Sequence, residues 1–223
     1  MSPLIRPFAV SAVMLMAFAL PVRAQAPVKT EVPAQSCTPT PAFAAHNYPG
    51  ARNIPTMNDL TRYSGKALSS DGQKVLVQGR VRDARCVPIQ GAVVELWQRD
   101  SFGNWRLATR EDQANPNPVF NGAGRTYTDN NGSFSFITVF PAGARNEAPH
   151  LHLRVVAPDM RPLTTALYFA DDVRNEKDPT YKRLSATARQ QVTLRMSPMR
   201  DPNAGLVGET EIILPGKAKY RGY

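Results

Sequence analysis

The run EAPHLHLRVVAP, residues 147–158, sets His150 and His152 one residue apart at the head of an alternating apolar pattern. In an extended strand, residues i and i+2 leave the same face, so both imidazoles can reach one metal ion, and neutral imidazole is a ligand for zinc, copper, iron and nickel. The same alternation also describes the wet face of a strand that binds nothing. The chain holds one other histidine, His46, in a Pro-rich stretch where a solvated side chain is expected. A metal site in this chain therefore turns on His150 and His152 and on the elements that aim them.

Those elements begin after an expected leader. Residues 1–24 carry an early charge at Arg6, an apolar run from Phe8 to Leu20 and the small-residue ending Val22-Arg23-Ala24, the pattern of a secretory signal peptide cleaved near Ala24. The run is about thirteen residues, short of the roughly 20 of a membrane-spanning helix, and no later segment comes closer. The expectation is an exported protein, periplasmic or secreted, with no transmembrane segment. Without Arg6 and Arg23 the formal net charge falls from +9 to +7. The basic residues are scattered, with neither a charge run nor a basic stripe interleaved with aromatics, so nucleic acid is not an expected partner. Cys37 and Cys86 are the only cysteines, and in an exported chain such a pair reads as one disulfide stapling the N-terminal segment to the body.

Residues 25–72 are rich in Pro, Ala, Thr and Asn and show no hydrophobic period, so they form an extended arm. Residues 73–223 form the domain. From Lys74 onward short alternating runs recur, KVLVQGRVR, AVVELWQ, GSFSFITV, HLHLRVVA, TTALYFA, QQVTLRM and ETEIIL, separated by turn clusters such as RDARCVPIQG and TDNNG. Seven such runs predict an all-β fold, an antiparallel β-sandwich with the N-terminal arm and little helix. Only DPTYKRLSATARQQ has helical composition, with Asp178 and Pro179 at its start.

Several blocks in collinear order, VELWQ, FNGAGRTYTDNNGSFSFITVFPAG, APHLHLRV and LTTALYFADDVRNEKDP, together with NDLTRYSGKAL, resemble the intradiol ring-cleavage dioxygenases, in particular the protocatechuate 3,4-dioxygenase branch. The resemblance runs from about Asn58 to Pro179. It implies non-haem iron held by two histidines and two tyrosinates, a catechol-like aromatic substrate, and oxygen insertion between the hydroxyl-bearing carbons. His150 and His152 fall on the family's histidine pair. The tyrosines do not carry over: the first would stand at Asp112, in TREDQANPNP, and the second in the shortened loop AGARNEAP, and neither stretch contains tyrosine. An arginine of the family falls at Glu147, with Arg145 nearby. Two imidazoles alone suit Cu(II), Zn(II) or Fe(II) better than Fe(III), and Asp112 or Glu111 would complete a two-histidine, one-carboxylate set.

Three function classes follow. One is an exported intradiol-type oxygenase for a catechol or related phenol, with an altered metal site. The second is a non-catalytic, dioxygenase-like subunit in a homo- or hetero-oligomer. The third is a periplasmic β-sandwich module that binds a metal such as copper, or a polymer. Trp97 and Trp105 are expected as core and rim packing, and Arg125 as a loop brace.

Overall fold

The computed structural model describes residues 36–62, 69–106, 117 and 119–219, all within one compact unit, Ala34–Tyr223. The expected leader, the start of the arm, Glu111, Asp112, Tyr63, Tyr220 and Tyr223 lie outside the described residues. Among the described residues no helix is long and apolar enough to cross a membrane.

The described strands are β1 (Lys74–Arg82), β2 (Val93–Trp97), β3 (Ala123–Tyr127), β4 (Ser133–Val139), β5 (His150–Val156), β6 (Leu163–Phe169), β7 (Thr193–Leu194), β8 (Met196–Pro198) and β9 (Leu206–Ile213). One sheet runs β4-β1-β9-β8 and the other β3-β2-β5-β6-β7. Alternate residues of both sheets meet in a single core, in which Val75, Val77 and Phe136 of the first face Leu96, Leu151, Leu153 and Leu167 of the second. The turn cluster TDNNG works because Gly132, with φ 72°, closes the turn that carries the chain from β3 in one sheet to β4 in the other, in a conformation that a side chain would oppose.

The sandwich is present, but its pairing is mixed rather than purely antiparallel. β9 lies parallel to β1 and β7 parallel to β6. Parallel neighbours need a long connection, and the chain between β1 and β9 provides one by building the other sheet on its way. The expected helix divides in two. Asp178 caps α1 (Pro179–Lys182) through the Thr180 and Tyr181 amides, and Ser185 then caps a fresh start, α2 (Ala186–Gln191). Gln190 and Gln191, shared by the expected helical stretch and the strand run QQVTLRM, close that second helix.

The arm is a strap across the outer face of the five-stranded sheet. Cys37 is bonded to Cys86 with a Cα–Cα distance of 5.2 Å, the Thr40 amide donates to Ile213 O at the end of β9, and the Phe43 amide donates to Thr164 O on β6. Further on, Trp97 Nε1 donates to His46 O at 2.9 Å and Tyr48 Oη to Glu95. The strap then reaches β4, where the amides of Leu60 and Ile137 bond to Ile137 O and Asn58 O. Gly124 on β3 permits the close approach, since a Cβ there would strike Met57 O and Leu60 Cδ1. The disulfide holds the start of this strap across a sequence separation of 49. Cys37→Ser should lower the unfolding free energy by about 2–5 kcal/mol in urea denaturation, with no free thiol in the unreduced, unfolded wild type; two free thiols there would remove the staple.

Candidate metal site on the outer face of the five-stranded sheet

Strand β5 buries Leu151, Leu153 and Val155 completely, which turns His150, His152 and Arg154 to the opposite face. Register supplies their neighbours: Trp97 of β2 stands opposite His152, and Tyr168 of β6 opposite His150. The Trp97 ring stacks on His152 at 5.0 Å between centroids and 10° between planes, and Trp105 approaches the same imidazole at 5.7 Å. His152 is only 4% exposed. Trp97 and Trp105 thus fill their expected core and rim places.

The His150 tautomer follows from its partner. His150 Nδ1 lies 2.8 Å from Ala148 O, and a carbonyl can only accept, so Nδ1 carries the proton and Nε2 a lone pair. That lone pair faces His152 Nε2 at 3.0 Å, while His152 Nδ1 is buried with no hydrogen-bond partner. Burial drives the His150 imidazole below its ordinary pKa, against the opposing pull of the Ala148 carbonyl, Glu147 and Asp178. Burial also drives His152 down, to about 3, helped by the charges of His150, His46 and Arg99. Both rings are therefore neutral at neutral pH, the state that ligates metals. Asp178 steadies the arrangement from behind: Oδ2 accepts from the Ala148 amide at 3.0 Å, fixing the residue whose carbonyl orients His150.

The described tyrosines are engaged elsewhere or exposed. Tyr48 Oη donates to Glu95 at 2.7 Å, and its pKa is pushed up to about 12 by burial and by that carboxylate. Tyr168 packs against His150 at 5.3 Å, but burial and Asp178 raise its pKa, so the phenol keeps its proton. Tyr181 Oη pairs with Thr193 Oγ1, and Tyr127 is 54% exposed. A ferric centre with two tyrosinates therefore does not fit the described residues. No group of three or more His, Cys, Asp or Glu side chains converges among them, and the carboxylates of Glu111 and Asp112 lie outside the description. The described space beside His150 is about 10 Å³, bordered by Arg99, Trp105, Ala142 and Glu147, which suits one water or ion. Glu147, where the family places an arginine, pairs with Arg99 at 3.1 Å, and Arg145 is exposed.

Next along the same face lies a charged cluster that sequence reasoning missed. Glu95, 1% exposed, stands in register between Arg125 and Arg154 and accepts from both guanidiniums as well as from Tyr48. A lone carboxylate inside the buried run VVELW is the signal that could have revealed it. Burial alone would raise the Glu95 pKa, but these donors outweigh it and hold the carboxyl below its ordinary value. Arg125 braces the arm, not merely a loop, because its guanidinium also donates to Ala51 O at 2.6 Å.

A family model described as Dioxygenase matches residues 41–210, most of the chain. The protocatechuate 3,4-dioxygenase beta chain of Burkholderia cepacia is 29% identical over 178 residues, 75% of this chain and 76% of that one. Catechol 1,2-dioxygenase of Candida albicans is 26% identical over 66% of this chain, which spans only 51% of the yeast protein. Among solved structures, an intradiol ring-cleavage dioxygenase from Tetranychus urticae superposes with a TM-score of 0.63 at 19% identity, covering 83% of this chain and 98% of the other, a likeness of fold. The chain belongs to the intradiol dioxygenase family, a group of oxidoreductases.

Two outcomes test the electrostatics of this face. In NMR titrations of the metal-free protein, His150 and His152 should both protonate well below pH 6.5; an ordinary imidazole titration at either would contradict their burial. Stability should fall as pH drops below 6.5, since the unfolded chain takes up protons that the folded chain refuses. Glu95→Ala should cost about 3 kcal/mol by leaving two guanidiniums without their shared partner. The wild-type contribution of Glu95 is present above the unfolded carboxyl pKa and is lost as pH falls through the lower folded value, so the gap between variant and wild type should close in acid.

Proposed function

We propose that this chain is an exported intradiol-type oxygenase with an altered metal site, in which His150 and His152 hold a divalent ion, iron(II) or another such as copper or zinc, for a catechol or related phenol. The observation that carries the reading is the pair of converging Nε2 atoms on neutral, buried rings. A bound divalent ion would act as a Lewis acid that eases deprotonation of a diol. The chain's own parts are then assigned by position. Asp178 and Ala148 fix the His150 ring, Trp97 backs His152, and Arg99 sets a cation at the edge of the cavity where a catecholate would carry negative charge. A catechol ring exceeds the described space beside His150, so its entry requires Trp105 or the 142–147 loop to move aside. Family membership supports the substrate class and the N-terminal leader pattern supports export.

A second reading, a non-catalytic subunit paired with a catalytic chain, is favoured by the lack of a tyrosinate set among the described residues. A relative named as the beta chain of a protocatechuate dioxygenase supports only the assembly of more than one chain in that reading. Elemental analysis of protein purified from the periplasm, followed by oxygen uptake with a panel of catechols, separates the readings. The expected result is about one divalent metal per chain, no red-brown tyrosinate-to-iron colour, an N-terminus at Gln25 and catechol-dependent oxygen uptake. His150→Ala and His152→Ala should each abolish stoichiometric metal. Absence of metal shifts the conclusion to the second reading, metal without oxygen uptake to a metal-binding β-sandwich module, and metal retained by the double variant overturns the site.

A further inference from the structure

We propose that the arm completes the site, with His46 as a third nitrogen ligand to the divalent ion held by His150 and His152. This rests on the metal reading of the pair. All three histidines of the chain gather on this one face, although His46 is more than a hundred residues away in sequence. Two anchors of the arm straddle the pair. Phe43 packs on Tyr168, whose ring lies against His150, and Tyr48 packs on Trp97, whose ring lies against His152. His46 falls between those anchors, and its carbonyl is held by Trp97 Nε1, one indole away from His152. Asn47 turns the chain at this point with φ 51°.

The His46 side chain is exposed, so its ring is free to change rotamer, but reaching the ion also requires the side chains that enclose His150 and His152 to shift. Such a movement is required, because no three ligating side chains of the described residues already converge. The chemistry of the set names the ion class. Three neutral imidazoles bring no negative charge, which suits zinc or copper in the divalent state and leaves Fe(III) uncompensated.

Titration of the folded, metal-free full chain with Cu²⁺ alone, followed by calorimetry and by electron paramagnetic resonance, tests the assignment. Wild type should bind one ion with the hyperfine pattern of three nitrogens. His46→Ala should keep the one-ion stoichiometry, bind at least about tenfold more weakly, since even outer partners of ligands are worth that much, and show two nitrogens. Its thermal unfolding without metal should match wild type, which excludes a folding defect. Unchanged affinity and an unchanged nitrogen pattern in His46→Ala overturn the inference while the pair survives. Weakening by Glu111→Gln or Asp112→Asn instead places the third ligand in the 107–116 segment and also overturns it. Equal binding by wild type and His150→Ala/His152→Ala removes the pair and the inference together.

Discussion

Strand β5 must bury Leu151, Leu153 and Val155 between the sheets, and the pleat then leaves no choice about the other face. Each of those side chains contributes on the order of 2 kcal/mol of apolar burial, and a slip of one residue would drive His150, His152 and Arg154 into the sandwich core instead. The register that satisfies the core is thus the register that pairs the imidazoles. It also sets Trp97 against His152 and Arg154 against Glu95, because β2 is tied to β5 along the same ladder.

The outer face created in this way is polar in its middle and could not stay dry unaided. The arm covers it, contributing Phe43, Tyr48 and Ile54 as apolar cover and meeting Glu95 through Tyr48. Two electrostatic regimes follow on neighbouring positions of one sheet. At Glu95, burial is met by guanidinium and phenol donors, and the charge is kept. At His150 and His152, burial meets no carboxylate ligand among the described residues, and the rings give up their protons. On the proposed reading, neutral rings whose Nε2 atoms meet at 3.0 Å suit a divalent ion better than a ferric one. On that reading the chain departs from the ferric centre that its family resemblance implies.

The strands and the face shared by His150 and His152 were legible because both follow from a period of two, and Asp178-Pro179 marked a helix start through local capping chemistry. Strand direction was not legible: alternation in ETEIIL says which residues are buried, but not that β9 runs parallel to β1. The path of the arm escaped as well, because it is held by backbone hydrogen bonds to sheet residues and by a few widely spaced anchors, which leave no period. The Glu95 cluster draws Tyr48, Arg125 and Arg154 from three distant segments, and Asp178 serves both a helix cap and the Ala148 amide. Neither role could be read from a local window.

In the proposed site the two Nε2 atoms face a common ion. Anomalous diffraction at the metal edge, from crystals of wild-type protein equilibrated with Zn²⁺ at neutral pH, tests it most directly. A single peak is expected within bonding distance of both His150 Nε2 and His152 Nε2. Rings left in direct nitrogen-to-nitrogen contact, with no peak beside them, would contradict it and return the pair to an ordinary strand face.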